Sequence, residues 1–304
     1  VFIKIVFLKI GEINTVTEQF EAEVFIQARW SEKALDHATT TDKVDFSSYW
    51  NPELLVQNVM GTPQSNLWRE VMYAKSGEAF IVEKRKIKGK FAENLELEDF
   101  PFDYQYLSIL ISSHLSEDEL EILEDDHDLS VIKATCFVDE QQWSLLDYVE
   151  STPQISVKEF SETKNIRFPV LAVHCSAVRK YGFFIWNIVV IMSIISSLSF
   201  ATFSITPALP QNRLQLGFTL TLTGVTFRFV TNQSLPKISY LTRIDKYILF
   251  SMIFTFLVSV WHAVITLFDG HLQAQMDVGA FIAFAVLYAL FQIFFILSVI
   301  IKIL

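Results

Sequence analysis

Two cysteines in 304 residues, Cys136 and Cys175, allow one disulfide at most, and only if the fold brings them together. No redox compartment follows from so little. Catalytic signatures are missing as well: there is no glycine-rich phosphate loop, no H-x-x-x-H, no C-x-x-C and no G-x-S-x-G. His114, His127 and His174 are scattered, and an isolated histidine is more often structural than a ligand. An enzyme is the weakest reading, and neither a cofactor nor a catalytic metal set is implied. The chain opens without a charged, apolar and small-residue leader, and Val1 already reads as strand, as a processed or trimmed N-terminus would.

Charge and hydropathy are both divided along the chain. Residues 1–178 carry 16 Lys and Arg against 31 Asp and Glu, a net of −15; residues 179–304 carry 8 against 3, a net of +5. The mean hydropathy of +0.35 is high for a soluble domain, and the apolar residues crowd into the last two-fifths. The division predicts a soluble domain over 1–178 and a membrane domain over 179–304. An acidic soluble half excludes nucleic acid as a natural partner and concentrates cations, although solubility alone explains it too.

A membrane span needs about 20 residues to cross roughly 30 Å of hydrocarbon. Four windows qualify, over 181–203, 211–234, 246–268 and 278–303. The second differs from the rest because it holds a Gln, an Arg and several Thr. At about 100° per residue, Gln215, Thr219, Leu222, Thr226 and Phe229 fall within roughly 80° of one another, a single stripe alternating polar with bulky apolar groups. Lipid cannot satisfy Gln and Thr, so the stripe has to face protein or water.

Copies of this helix around an axis would make rings of hydrogen-bonding groups at Gln215 and Thr219. Leu222 and Phe229 would then be apolar constrictions that close a pore by dewetting. Thr acting as glue between helices is the alternative. Thr221 and Thr223 lie off the stripe and suit bonds to the preceding turn, while Arg228, some 140° from Gln215, sits on the back of the helix. By loop charge the acidic half belongs in the cytoplasm, because Lys237, Arg243 and Lys246 follow the second span and the other two links carry no Lys or Arg.

Residues 1–178 show short alternating or β-branched runs: "VFIKIVFLKI", "FEAEVFIQARW", "AFIVEKRKIKG", "YLSILISS", "QISVKEF" and "VLAVHCSAV". Their spacing predicts an antiparallel, immunoglobulin-like β-sandwich followed by a four-helix transmembrane domain. The run Ser116 to Asp126, "SEDELEILEDD", reads either as a divalent-cation site or, more simply, as a solvated acidic face.

The stretch "EDFPFDYQ" resembles the signature loop of pentameric ligand-gated ion channels, the Cys-loop receptor superfamily. Phe100, Pro101, Phe102 and Asp103 followed by Gln105 carry the likeness. Animal members bracket this loop with two cysteines; Glu93 and Leu107 stand in those places, so the chain resembles a bacterial member without the disulfide. "FIQARW" ending at Trp30, "WNPE" from Trp50 to Glu53, Arg179 before the first span and "SLPKISYLT" after the second resemble further family segments in order and spacing. The likeness covers essentially the whole chain.

The resemblance implies a homopentamer in a lipid bilayer, here the bacterial inner (plasma) membrane. The sandwich would be periplasmic or extracellular, against the loop charges, and the second span would line the pore. A link of some ten residues between spans three and four leaves no room for the intracellular domain of animal relatives.

By position in the family, the agonist site would lie between adjacent sandwiches. Phe25 is its complementary face, and Asn58, His114, Phe160 and Phe168 its principal face; these Phe are otherwise ordinary sandwich core. Such rings would hold an ammonium group by cation–π attraction, about 0.5–2 kcal/mol each. A small amine or carboxylate is the expected agonist. Protons are the second possibility, since an imidazole at His114 titrates at about pH 6.5 in model peptides.

Coupling would run from Phe100–Asp103 to Leu235, Pro236 and Lys237, with Asp103 and Arg179 as an ion pair. The first span has "WNIVVIMS" where the family often has a proline. The inner mouth carries Gln211 and Asn212 in place of the acid of cation-selective relatives, and Pro210 with Arg213 partly echoes the Pro-Ala-Arg of anion-selective ones. The acidic outer half favours permeant monovalent cations. A membrane-anchored receptor that does not conduct is the competing reading.

Overall fold

The computed structural model describes residues 1–36, 44–133, 137–157, 167–233, 238–268 and 270–303. They form two compact units, one of Val1–Leu95 with Tyr104–Val178 and one of Glu96–Asp103 with Arg179–Leu304. The first unit is a β-sandwich. Its strands are β1 (Phe2–Asn14), β2 (Gln19–Ser31), β3 (Leu54–Val56), β4 (Val59–Tyr73), β5 (Ala79–Ala92), β6 (Tyr104–Ser113), β7 (Leu123–Glu124), β8 (Val131–Ile132), β9 (Trp143–Val157) and β10 (Arg167–Arg179).

One sheet runs β4-β5-β2-β1-β7, with β8 also on β1, and the other runs β3-β6-β10-β9. The long pairs β1–β2, β2–β5, β4–β5 and β6–β10 are antiparallel, whereas β7 and β8 lie parallel to β1 for two residue pairs each. Alternation builds the core, because successive side chains of a strand point to opposite faces. Ile3, Ile5 and Phe7 of β1 and Val24, Ile26, Ala28 and Trp30 of β2 meet Leu107, Ile109 and Ile111 of β6 and Leu171, Val173 and Cys175 of β10 in one cluster. Each large apolar side chain so buried contributes about 1.5–3 kcal/mol.

The second unit holds helices α1 (Gly182–Ser204), α2 (Pro210–Asn232), α3 (Arg243–Leu267) and α4 (Gly270–Ile303). By length and composition α1, α3 and α4 are apolar enough to cross a membrane; α2 is long enough, at about 34 Å, but its Gln, Thr and Arg lower its hydropathy. Pro210 opens α2, where its missing N–H costs nothing. Thr242 and Asp245 open α3 with a reciprocal capping box.

Two features of the helices lie beyond the sequence reading. The fourth helix begins at Gly270, ahead of the span expected from about residue 278, and α3 ends at Leu267. "HLQAQM" contains no helix breaker, and a polar first turn extends the helix past its apolar stretch. In α1 the absent proline is replaced by a π-helical turn over Ile185–Val189, where Asn187 Nδ2 donates to the Phe183 carbonyl at 2.9 Å. Such turns break helical regularity without proline.

Candidate functional site

Within the helical unit, α2 has two faces of different character. Its buried residues are Arg213, Gly217 and Gly224, spaced 4 and 7 apart and hence on one side. A Cβ on Gly217 would stand 2.4 Å from Ser259 Oγ, so only glycine lets α2 close onto α3 at this height. The stripe Gln215, Thr219, Leu222, Thr226 and Phe229 lies about 120–180° round the helix from these glycines, and all five are exposed, Leu222 at 66% and Phe229 at 68%. Thr219, Thr221 and Thr223 donate their hydroxyls to the carbonyls of Gln215, Gly217 and Thr219 at 2.8–2.9 Å. Thr219 therefore turns an acceptor oxygen outward, its proton being held by the helix.

At one end of the four helices lies the loop Glu96–Asp103. Arg179 meets Asp103 in a buried bidentate pair, Nε to Oδ1 at 2.6 Å and Nη2 to Oδ2 at 3.0 Å. Its guanidinium also lies 4.8 Å from the centre of the Phe100 ring, which packs edge-on against Phe184 at 4.7 Å. Phe102 packs on Tyr181 at 5.1 Å, and Pro101 is buried between the two rings in sequence, after a cis peptide bond.

Asp99, which sequence reasoning missed, accepts from Arg243 at the start of α3 at 2.6 Å and from Lys302 at the end of α4 at 2.5 Å. Burial opposes its ionisation, but these two cations outweigh it and hold its carboxyl below the usual range. The Leu97 N–H donates to Tyr240 Oη at 3.0 Å. Of the other expected coupling residues, Leu235, Pro236 and Lys237 lie outside the described residues.

A second ionic cluster occupies the opposite end. Arg213, expected near the inner mouth, is buried: Nη1 and Nη2 donate to Asp277 of α4 at 2.9 and 2.8 Å, and Nε donates to the Ile205 carbonyl at 2.7 Å. His262 of α3 completes the cluster, its Nδ1 3.3 Å from Arg213 Nη1 and its Nε2 2.6 Å from Thr202 Oγ1. Gln211 and Asn212 beside it are exposed and neutral.

The expected agonist residues are distributed over both sheets. Phe25 is half-buried on β2, its ring 6.0 Å from Trp68 of β4, a residue missed from sequence. His114 is exposed just after β6, and Phe160 lies outside the described residues. Two assignments change character. Phe168 is only 8% exposed in its own protomer, at the start of the buried run of β10 that follows exposed Arg167. Asn58 has its amide engaged: Nδ2 donates to the Ala92 and Ser108 carbonyls at 3.0 and 2.7 Å, and Oδ1 accepts from the Leu110 N–H at 3.1 Å. It stitches strand ends together.

Three of the seven acids in the run from Ser116 to Asp126 have structural partners. Asp125 is buried against Arg29 at 2.9 Å, Glu119 caps its own turn through Ser116, and Glu124 accepts from Ser130 N–H at 3.1 Å. Among the described residues no group of three or more His, Cys, Asp or Glu is placed to hold a metal ion. Cys175 is a buried free thiol whose pKa is raised by that burial, and Cys136 lies outside the described residues.

A two-sheet sandwich, four helices of which three are plainly apolar, and an aromatic loop clasped to the helices define a class. Residues 1–172 match the neurotransmitter-gated ion-channel ligand binding domain and residues 190–295 the neurotransmitter-gated ion-channel transmembrane region. The chain belongs to the neurotransmitter-gated ion channels, a family of pentameric membrane channels gated by small ligands, with an extracellular N-terminal domain.

Among its relatives, the serotonin-gated chloride channel mod-1 of Caenorhabditis elegans is 24% identical over 261 residues, covering 81% of this chain and 50% of the relative. The gamma-aminobutyric acid receptor subunit gamma-3 of Homo sapiens is 21% identical over 275 residues, covering 86% and 56%. The chain thus spans about half the length of the curated relatives it matches.

Proposed function

We propose that this chain is the subunit of a homopentameric ligand-gated channel, with residues 1–178 receiving the agonist and 179–304 forming the conducting domain. One observation carries the reading. The polar and apolar stripe of α2 is exposed, opposite the glycines that seat the helix on α3. Lipid is a poor solvent for Gln215 and Thr219, and a water-filled axis satisfies them. Leu222 and Phe229 are then the apolar rings that hold the pore shut.

The agonist is a small amine or carboxylate bound between sandwiches, or protons. Gating passes through Phe100–Asp103 and Arg179 to the helices and the segment Leu235–Lys237. The setting is a prokaryotic plasma membrane, a reading supported by Glu93 and Leu107 in place of the loop cysteines and by the minimal link between α3 and α4.

On ion sign we carry the cation reading. Residues 1–178 hold a net −15, the stripe is uncharged, and Arg213, next to Gln211 and Asn212 in the chain, is buried against Asp277. Chloride is the second reading, favoured by the relative named as a serotonin-gated chloride channel.

Leu222→Ser tests the channel. A polar ring stays wet, so voltage-clamped membranes bearing the variant are expected to leak without agonist. Opposed Na⁺ and Cl⁻ gradients then read the ion sign from the reversal potential. Currents identical to wild type would sink the pore assignment in favour of a receptor that does not conduct.

A further inference from the structure

The sandwich carries a cavity of about 610 Å³ that none of the expected agonist residues except Asn58 touches. Its floor lies where the two sheets are stitched at one edge. The Asn58 amide and the Glu93 carboxylate tie the end of β5, in one sheet, to β6, in the other: Asn58 as described above, and Glu93 Oε2 by accepting from the Ser108 N–H at 2.6 Å. The Glu93 N–H in turn donates to the Glu18 carbonyl at 3.0 Å, which draws the β1–β2 turn over the rim. Glu18 holds a left-handed backbone, φ 52°, at this point.

The lining has one electrostatic sign. Glu18 and Glu93 contribute carboxylates, and among the twelve lining residues there is no Lys or Arg. The aromatic wall is Tyr106, stacked edge-on with His174 at 4.9 Å. His174 is itself turned toward Glu150, at 3.3 Å, so a charge on the imidazole would be matched locally. Asn94, Thr152 and Gln154 supply neutral polar groups. Glu93 is the unusual member. It is desolvated, burial pushes its carboxyl above the usual range despite the hydrogen bond from Ser108, and among the described residues no Lys or Arg lines the cavity to balance it.

We propose that this intrasubunit cavity binds a small organic ammonium ion, with Glu93 as its counter-charge and the Tyr106 ring as its cation–π wall. A carboxylate held out of water beside an aromatic face is the pairing that recognises an ammonium, and a concave site of this size, with polar groups set among apolar ones, suits a compact ligand rather than a chain lipid. Glu93 also opens the segment that three residues later becomes the loop Glu96–Asp103, so a ligand that draws on the Glu93 carboxylate competes with the Ser108 bond that fixes the loop's origin. The proposal rests on the channel reading for that consequence, gating, and on the cavity alone for binding.

The test is titration calorimetry of the full-length protein in lipid nanodiscs with propylammonium chloride, with sodium propionate as the anionic comparison. Glu93→Gln keeps the acceptor for the Ser108 N–H and removes the charge. It is expected to weaken propylammonium at least tenfold, Tyr106→Leu to weaken it several-fold, and Met72→Ala, exposed on the other sheet, to change it less than twofold. Should Glu93→Gln fail to fold, Glu18→Gln and Tyr106→Leu decide the matter, each expected to weaken binding. Loss of binding in Phe25→Ala with retention in the cavity variants would overturn the site in favour of a subunit interface. No propylammonium heat from protein whose Leu222→Ser form still leaks would overturn the site while leaving the channel intact, and absence of that leak would count separately, against the channel.

Discussion

The two ends of the helical unit are each closed by an arginine and an aspartate, and they are built differently. At the loop end the acids, Asp99 and Asp103, come from the segment between β5 and β6, and the cations from the end of β10, from α3 and from α4. At the other end Arg213, Asp277, His262 and Thr202 all belong to helices, and backbone carbonyls of Phe203 and Ile205 take the remaining guanidinium donors. The first is layered, a buried pair with a half-exposed triad outside it. The second is sealed. A sealed cluster anchors the start of α2 and withdraws its charge from the helix's exposed face, whereas a layered one leaves contacts that a moving loop can exchange.

Breaking the sealed end is expected to have the largest effect. Asp277→Asn leaves Arg213 charged, buried and without its bidentate partner, which costs about 3–5 kcal/mol. Thermal unfolding of detergent-solubilised protein is expected to show a clearly lowered midpoint, and the double variant Arg213→Leu/Asp277→Leu much less, because no charge is then stranded. Equal damage in both would mean that the helix junction depends on shape rather than charge. Survivors of Asp277→Asn are also expected to shift their reversal potential toward chloride, as an arginine freed beside Gln211 and Asn212 adds positive charge to the mouth.

Next in size is the seat of α2. Gly217→Ala places a methyl 2.4 Å from Ser259 Oγ and 3.1 Å from its Cβ, an overpacking worth about 1–3 kcal/mol. Gly224→Ala meets Met252 Cγ at 3.5 Å, ordinary contact. There the gain in helix propensity, up to about 1 kcal/mol, is expected to win. Opposite signs at the two glycines in unfolding midpoints would support a closest approach at Gly217. Equal signs would move it elsewhere along the helix.

How much of this was legible in the sequence follows from range. The alternation of β1, β2 and β6 and the apolar length of the spans are local patterns, and the structure repeats them. β4 escaped notice because its fifteen residues are mostly exposed on both faces, so no two-residue period marks them. Asp103 with Arg179 was reachable through a resemblance. Asp99 was not, since Lys302 lies some two hundred residues away and nothing in "LELEDF" singles out one acid among three. The burial of Arg213 was not legible either, because nothing local in the sequence marks Asp277, sixty-four residues on, as its partner.

The smallest expected effect, and the one that separates the two ends most cleanly, is at Asp99. Its carboxyl is held below the usual range by Lys302 and Arg243, so its contribution to stability is fully present above the unfolded value and is lost as pH falls through the lower folded value. With partners 29% and 42% exposed, each pair is worth about 0.2–1 kcal/mol. Asp99→Asn is therefore expected to lower the unfolding midpoint slightly and evenly between about pH 5 and 8, with the difference from wild type closing below about pH 4. Raising salt toward 1 M, where the screening length falls to about 3 Å, is expected to narrow it as well. The Asp277→Asn difference, buried and dry, is expected to ignore salt. A salt-insensitive deficit in Asp99→Asn that persists at pH 3 would mean that the loop end is as sealed as the other and that its exposed layer is not an exchangeable contact.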